Sequence, residues 1–404
     1  MLNHPDYEQA RELLLAAVRP VGAERIPLSQ CGGRVLAEEP SAREDVPAFD
    51  RSPYDGYALR AADTARACQD APVTLRILEE IPAGVAPAET VTEGTAAKVL
   101  TGAPIPPGAD AVVMYEKTGF TDRSVTLFGP VKPGANIVRA GEDIRRGAVL
   151  ARRGDVVDPG LAGALAAQGM AAPLVYKRPR VAVLSTGSEL VEADGLPGPG
   201  QIRNSNRSML EAALRRLGCA PVYLGIAGDR VEEIAAALDQ GLAACDAVVV
   251  TGGVSAGDYD VTPAAMEAAG ARLLFRGVDM KPGMACAYGV RDGRLICALS
   301  GNPASSLTNL CAVALPALKK LAGAGTCVPQ EFPVALSSGF DKKSPKTRFL
   351  RGRLSLKDGT ARMELPKDQG NVVLSSAIGC DLMAVVPAGS GPLSAGTVLK
   401  GFLL

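Results

Sequence analysis

Three carboxylates, each a few residues past an apolar run, are the side chains best placed to do chemistry. Glu189 stands in Ser-Thr-Gly-Ser-Glu189-Leu after the run 181–184, and Asp229 in Ala-Gly-Asp229-Arg after 222–226. Asp258 stands in Thr-Gly-Gly-Val-Ser-Ala-Gly-Asp258-Tyr-Asp after 247–250. A fourth loop, Ser-Gly-Asn-Pro-Ala-Ser-Ser at 300–306, follows 294–299. In helix-covered parallel sheets, ligands sit at the carboxyl ends of strands, so these four loops are expected to share one rim. Hard oxygen ligands beside a substrate phosphate suit a divalent cation. Taken singly, each carboxylate reads as a turn or helix cap; three on one rim read as a site.

The same loops offer sites for anions. Gly252, Gly253 and Gly257, in the loop that carries Ser255, would let backbone N–H groups approach an oxyanion closely. Ser300, Asn302, Pro303 and Ser305 read as a helix start, with Asn302 at the N-cap and Pro303 at the first helical position. Free N–H groups would then lie at the positive end of the helix. Simple capping is the competing explanation. Lys281, in Met-Lys-Pro-Gly-Met, and Arg348 and Arg351, in Lys-Thr-Arg-Phe-Leu-Arg-Gly, add cations. Five arginines at 139, 145, 146, 152 and 153 crowd around Gly-Glu-Asp143, which reads as a solvated face. No Walker A sequence occurs, and Gly-Pro-Gly at 198–200 lacks the strand-then-helix setting of a dinucleotide fingerprint.

Composition narrows the chemistry. The single histidine, His4, removes Ser-His-Asp and Cys-His schemes and most zinc sites. Lys plus Arg and Asp plus Glu are 43 each, so the footprint of a nucleic-acid binder is missing. Nine cysteines, never spaced C-x-x-C and mostly in apolar sequence, read as reduced core thiols. No apolar run reaches the ~18 residues of a membrane span. A soluble, cytoplasmic protein with no membrane contact is expected.

The elements that must position these residues follow from periodicity. Residues 6–19 read as a helix after an Asp6 cap, with apolar positions 10, 13, 14, 17 and 18 on one face. From 27 to 178, short apolar runs cut by Gly and Pro predict two intertwined β-rich domains. From 179, strands at 181–184, 222–226 and 247–250 alternate with helices at 205–217, 230–243 and 262–269. That alternation predicts a parallel, doubly wound sheet. Further strands near 272–276, 285–290 and 294–299 precede a long helix from Pro303 to about 321. A linker near 322–331 leads to a small antiparallel β domain with a hairpin at Asp358-Gly359.

Seven motifs together resemble one family across nearly the whole chain. They are Ser-Pro-Tyr-Asp55-Gly-Tyr-Ala, Leu-Thr101-Gly-Ala-Pro, Ala-Gly-Glu-Asp143-Ile, the Glu189 and Asp258 loops, Lys-Pro-Gly at 281–283 and Ser-Gly-Asn-Pro-Ala-Ser at 300–305. The chain resembles the molybdopterin molybdenumtransferases, the family of bacterial MoeA and the gephyrin E domain. The resemblance implies an α/β and β multidomain protein: residues 1–50 plus 140–178 as an elongated linker and dimerisation domain, 51–139 as an inserted β domain, 179–325 as an α/β molybdopterin-binding domain, and 330–404 as a C-terminal β barrel. It implies a homodimer that takes adenylylated molybdopterin and molybdate, uses Mg and releases AMP, in contact with the molybdopterin adenylyltransferase.

By motif, the resemblance assigns Asp55, Thr101, Asp143, Asp229 and Asp258 to catalysis. It puts Mg at Glu189 and Asp258, and substrate contacts at Glu189, Ser255, Lys281, Ser300, Asn302, Pro303, Ser305, Arg348, Arg351 and Ser375. The oxyanion would fall to Lys281, Ser305, Arg348 and Ser375. Met284 stands where family members often carry a second lysine, which removes an ammonium from that region. The alternatives are a molybdopterin adenylyltransferase, which would consume ATP, a non-catalytic dimeric scaffold, and a tungstate-preferring relative.

Overall fold

The computed structural model describes residues 2–254 and 261–404. The chain divides into two compact units. One is Met1–Glu38, Arg153–Asp158 and Ala172–Leu404; the other is Glu39–Arg152 and Pro159–Ala171.

The first unit is built on a seven-stranded sheet in the order Leu2–Asn3, Arg272–Arg276, Cys286–Arg291, Arg294–Leu299, Ala247–Thr251, Arg180–Thr186, Ala220–Ala227. The last four run parallel. Val181 and Val183 enter one core, against Leu210, Leu214 and Leu318, while Ala182 and Leu184 enter the other, against Ile234 and Leu238. Burial on both faces is why these strands read as unbroken apolar runs. The sheet is mixed rather than wholly parallel, which corrects the reading from strand-helix alternation. Cys286–Arg291 runs antiparallel to both neighbours. Only Asp292 and Gly293, both at positive φ (51° and 76°), join it to Arg294–Leu299. A two-residue loop makes a hairpin and cannot cross over to a parallel strand.

Helices Tyr7–Ala17, Ser205–Arg216, Val231–Ala244, Thr262–Ala268 and Pro303–Leu321 cover the sheet. Asp6 accepts from Gln9 N at 2.8 Å and Asn204 from Arg207 N at 3.1 Å, as caps at those positions should. The long helix carries one wider, π-type turn at Leu310–Ala314. Pro316 explains it, because proline has no N–H for the Ala312 carbonyl and its ring crowds that oxygen. Arg11 Nε takes the Ala312 oxygen instead, at 2.5 Å.

Five strands of the same unit, Phe332–Leu336, Thr347–Lys357, Thr360–Glu364, Leu382–Val386 and Val398–Leu403, close into a barrel through the pairing of Thr347–Lys357 with Leu382–Val386. Asp358 and Gly359 lie at φ 53° and 71°, the signature of the expected hairpin turn. The two-residue strand Met280–Lys281 pairs with Thr347 and Arg348.

The second unit holds a six-stranded sheet, Ala111–Met114, Gly56–Leu59, Thr95–Val99, Val73–Ile81, Ser124–Leu127, Thr118–Phe120, with cores on both faces. It also contains a helix, Pro159–Ala167, that the β-rich reading of 27–178 does not anticipate. Its sequence is small and apolar all round, with only Leu165 buried, so no 3.6-residue period announces it.

All nine cysteines are free thiols, and Cys68 alone is exposed. Burial pushes Cys219, Cys286 and Cys311 up to about 12. Since the thiolate is the reactive form, native protein should titrate quickly with a thiol reagent at Cys68 and slowly at these three until it is unfolded. Mass mapping of the labelled peptides checks this. Among the described residues, no helix is long and apolar enough to cross a membrane.

Candidate functional site

A cavity of about 670 Å³ opens where the four parallel strands end. It is lined by 186–190, Asp229, 251–254 and 300–302, together with Ile202 and Asn206. All four strand-end loops therefore meet on one rim. Asp229 is held there by Ser188, whose N–H and hydroxyl both donate to Oδ2 at 3.1 Å. Glu189 lies beside it with an exposed carboxylate. Ser255 and Asp258 lie outside the described residues.

The glycines of the third loop are steric necessities. Gly252 has φ 105°, and a Cβ there would strike the Thr186 carbonyl oxygen and hydroxyl; at Gly253 it would meet Thr262 Oγ1. The Gly252 N–H, counted among donors for an anion, is instead committed to the Leu299 carbonyl at 3.0 Å. At the fourth loop, Asn302 does start the helix, yet its side chain makes no capping bond. Ser300 Oγ accepts from Asn302 N at 3.2 Å. The Asn302 carboxamide thus makes no hydrogen bond among the described residues, and Asn302 lines the cavity.

Asn206 was not anticipated. It is 8% exposed, donates from Nδ2 to the Gly301 carbonyl at 2.7 Å, and leaves Oδ1 buried with no partner among the described residues. Because Nδ2 must face a carbonyl, the amide cannot be flipped to hide the defect. An acceptor desolvated without a donor costs about 1–3 kcal/mol, unless a ligand supplies the donor. Its sequence signal, the second Asn of Asn-Ser-Asn, reads only as a polar residue in a first helical turn.

Farther along the helix that starts at Pro303, at Thr308, lies a second group. Arg351 is fully buried and, among the described residues, forms no ion pair with a carboxylate. Its terminal nitrogens reach Thr308 Oγ1 (3.2 Å), Ser376 Oγ (2.9 Å) and the Gly370 carbonyl (3.4 Å), while Nε is buried and unpartnered among the described residues. Burial lowers its pKa. It borders a cavity of about 280 Å³. Arg348 is occupied otherwise: Nε donates to Ser344 Oγ at 2.9 Å, a terminal nitrogen to the Lys343 carbonyl at 3.1 Å, and the guanidinium lies over Phe340. Ser375 is exposed, and it is the next residue, Ser376, that touches Arg351.

The Lys281-Pro282-Gly283 turn packs on this helix, with the Gly283 carbonyl accepting from Asn309 Nδ2 at 2.6 Å. A Cβ on Gly283 would lie 3.2 Å from the Ser305 carbonyl. Lys281 itself is exposed and sits opposite Arg348 in register. An ammonium does reach Met284 after all: Lys346 Nζ is 3.4 Å from its sulfur and 2.7 Å from Asp279.

In the second unit, Asp55 Oδ1 accepts from the Thr101 N–H at 2.6 Å and its hydroxyl at 2.8 Å. These bonds hold the exposed carboxyl below its ordinary pKa. Gly56 follows because a Cβ would strike the Val113 carbonyl across the sheet. Asp143 is exposed, with its N–H on the Val46 carbonyl at 3.0 Å. Arg139, from the arginine-rich stretch, pairs with Asp50 at 2.6 Å. Thr101→Val removes one of the two donors, so the Asp55 titration followed by carboxyl-carbon NMR should move upward. An unmoved titration would show that the hydroxyl bond is not formed.

The chain matches the family model for the MoeA N-terminal region (domain I and II) over residues 6–169, and that for a probable molybdopterin binding domain over 182–320. It is 34% identical over 379 residues to a Molybdopterin molybdenumtransferase of Staphylococcus epidermidis, covering 94% of this chain and 90% of the relative. The chain belongs to the molybdopterin molybdenumtransferase family. A Staphylococcus aureus relative of the same name is 35% identical over 374 residues, with 92% and 88% covered. Among solved structures, the molybdopterin biosynthesis MoeA protein of Pyrococcus horikoshii OT3 superposes with a TM-score of 0.86 at 31% identity over 100% of both chains. A molybdenum cofactor biosynthesis protein of Pyrococcus furiosus shares the fold, with a TM-score of 0.62 at 19% identity.

As a member of the molybdopterin molybdenumtransferases, the chain is a transferase of molybdenum cofactor biosynthesis. Among the described residues, no three His, Cys, Asp or Glu side chains gather as a closed metal site. Glu189 and Asp229 provide hard oxygens of the right kind, but only as part of a set.

Proposed function

We propose that this chain inserts molybdate into adenylylated molybdopterin, with Mg-dependent release of AMP. The observation that carries the reading is the shared rim: four strand-end loops enclose one cavity, with Asp229 oriented by Ser188, with Asn206 Oδ1 unpartnered among the described residues, and with Asn302 making no capping bond. Cleaving a phosphoanhydride calls for charge neutralisation and positioning rather than a histidine nucleophile. When bound, Mg would neutralise charge developing on the phosphates. Glu189 and Asp229, with Asp258, are the residues to hold it, while Ser300 and the helix start at Asn302 and Pro303 would orient the pyrophosphate.

For the oxyanion, Arg351 with Ser376 is preferred to Arg348 with Ser375, since only Arg351 keeps a buried, unused N–H. Thr308, its contact on the helix, lies six residues beyond Asn302, roughly 9 Å along the axis. Ser305 and the Lys281 turn occupy the stretch between. We further propose a homodimer in which Asp55, Thr101 and Asp143 serve the same reaction. Mixed Asp55→Ala and Asp229→Ala subunits should recover activity as heterodimers, and a fully active monomer in sedimentation would refute the dimer.

The experiment is incubation of the pure protein with adenylylated molybdopterin, molybdate and Mg, following AMP release and metal incorporation. Both should occur without ATP. A requirement for ATP would assign the adenylylating step instead, and neither product would leave a scaffold. Asp229→Asn should slow AMP release by roughly a hundredfold or more while pterin binding, read by fluorescence, changes little. Equal loss of binding and turnover would contradict the role given to Asp229.

A further inference from the structure

A second concavity of about 450 Å³ lies at the opposite end of the parallel sheet. Six of its lining residues, Arg34, Lys177, Arg178, Arg215, Arg216 and Lys319, are cationic, and none is a carboxylate. In a chain with 43 basic and 43 acidic residues, such segregation is not a consequence of composition. Lys177 and Arg178 stand just before the strand Arg180–Thr186, and Arg215 and Arg216 just before Ala220–Ala227. The concavity therefore flanks the amino ends of strands whose carboxyl ends form the rim. A seven-residue strand separates the two by roughly 20 Å, and no residue lines both.

Helix ends account for part of this charge. Arg215, Arg216 and Lys319 fall in the last turns of their helices, where cations answer the exposed carbonyls. Arg34, Lys177 and Arg178 have no such reason, and they come from two other chain segments. Arg34 is spoken for by Glu24 at 2.7 Å and Arg215 by Glu211 at 2.9 Å. Lys177, Arg178, Arg216 and Lys319 form no ion pair among the described residues. Four uncompensated cations around one hollow repel each other, and a polyanion between them would relieve that repulsion. Apart from Thr326, the remaining walls are mainly apolar and backbone: Val35, Val156, Leu217 and Ala322, with the Tyr176 ring and the glycines at 32 and 33. The volume falls within the range of small-molecule sites.

We propose that this groove binds an organic polyphosphate of nucleotide size, with its phosphates on the Lys177, Arg178, Arg216 and Lys319 side chains and its organic body against the apolar wall. Having no carboxylate, the groove takes the metal-free anion. That separates it from the rim, where carboxylates and Mg belong together.

The test is calorimetric titration of the full chain with ATP, and separately with pyrophosphate, in EDTA. ATP should bind in the absence of metal, more tightly than pyrophosphate, and more weakly as salt rises. The double substitution Lys177→Ala with Arg178→Ala, both at exposed positions, should raise the Kd for ATP by roughly tenfold or more. Asp229→Asn should leave that Kd unchanged, so failure here and failure of the rim assignment are read separately. Lys319→Ala is a second route to the same loss, and circular dichroism establishes that the variants are folded. No binding of ATP in EDTA, an unchanged Kd in both groove variants, or pyrophosphate binding as tightly as ATP would each overturn the proposal. Binding of a glutamate-rich peptide with none of ATP would overturn it too, in favour of an acidic protein segment.

Discussion

Arg351→Met should leave the protein folded, with a thermal midpoint equal to or above that of the wild type, while the molybdate needed for half-maximal insertion rises about ten- to a hundredfold. The two halves of this result have one cause. Arg351 is a fully buried guanidinium that, among the described residues, forms no ion pair and leaves one N–H unsatisfied, so folding desolvates a charge that Asp368 offsets only from a distance. Methionine fills similar space without that cost, although Thr308 and Ser376 each lose a donor. The same cation is what an oxyanion would meet, and a charge-assisted bond there is worth about 1.5–3 kcal/mol.

Arg348→Met gives the contrasting result. That guanidinium already holds Ser344 and the Lys343 carbonyl and covers Phe340. Its loss should lower the midpoint and leave molybdate dependence nearly unchanged. Thermal denaturation and molybdate titration of the two variants decide the matter. Unchanged half-saturation in Arg351→Met would remove this arginine from the oxyanion site.

Gly252→Ala should be the most damaging single methyl group at the rim, costing about 3 kcal/mol or more of stability and at least roughly a hundredfold in turnover. At φ 105° an L-residue is strained whatever the space around it, and here the space is filled by Thr186. Neither loop can yield cheaply, since Gly252 is tied through its N–H to Leu299 and through its carbonyl to the Thr262 hydroxyl at 2.9 Å. Gly84→Ala separates strain from collision: Gly84 also has positive φ, 84°, but a Cβ there meets nothing within 4 Å. It should cost only about 1 kcal/mol and spare activity. Urea denaturation of both variants measures the difference, and equal losses would mean that packing at Thr186 is not what demands glycine at 252.

Much of this molecule is settled by local rules. Asp6 and Asn204 cap their helices, Asp358-Gly359 turns its hairpin, and the strand at 181–184 is apolar throughout because both of its faces are buried. Polar and glycine-rich loops at four strand ends were enough to locate the rim, because parallel strands bring their carboxyl ends together whatever lies between them in sequence. The family motifs added the reaction. What those rules miss has no short-range signature. The sheet turns mixed because a two-residue link at Asp292-Gly293 outranks the strand-helix alternation around it. Helix Pro159–Ala167 has no amphipathic period to betray it.

The finer assignments at the site belong to the tertiary structure for a related reason. Sequence shows that a residue can donate or accept, but not whether its bonds are already spent. Arg348 and Arg351 are three residues apart with the same side chain. Only the fold shows one satisfied by Ser344 and the other buried with Nε unused. Asn302 reads as a cap and makes no capping bond, while Asn206 reads as filler and holds an orphaned acceptor at the cavity. Residue types and spacing along the chain therefore determined most of the architecture, and the family motifs gave the reaction class. Hydrogen-bond satisfaction and burial depend on partners that no spacing rule names, some four residues away, as Ser344 is from Arg348, and others 43 or 95, as Thr308 is from Arg351 and Gly301 from Asn206, so only the tertiary structure decided which side chains remain free to act.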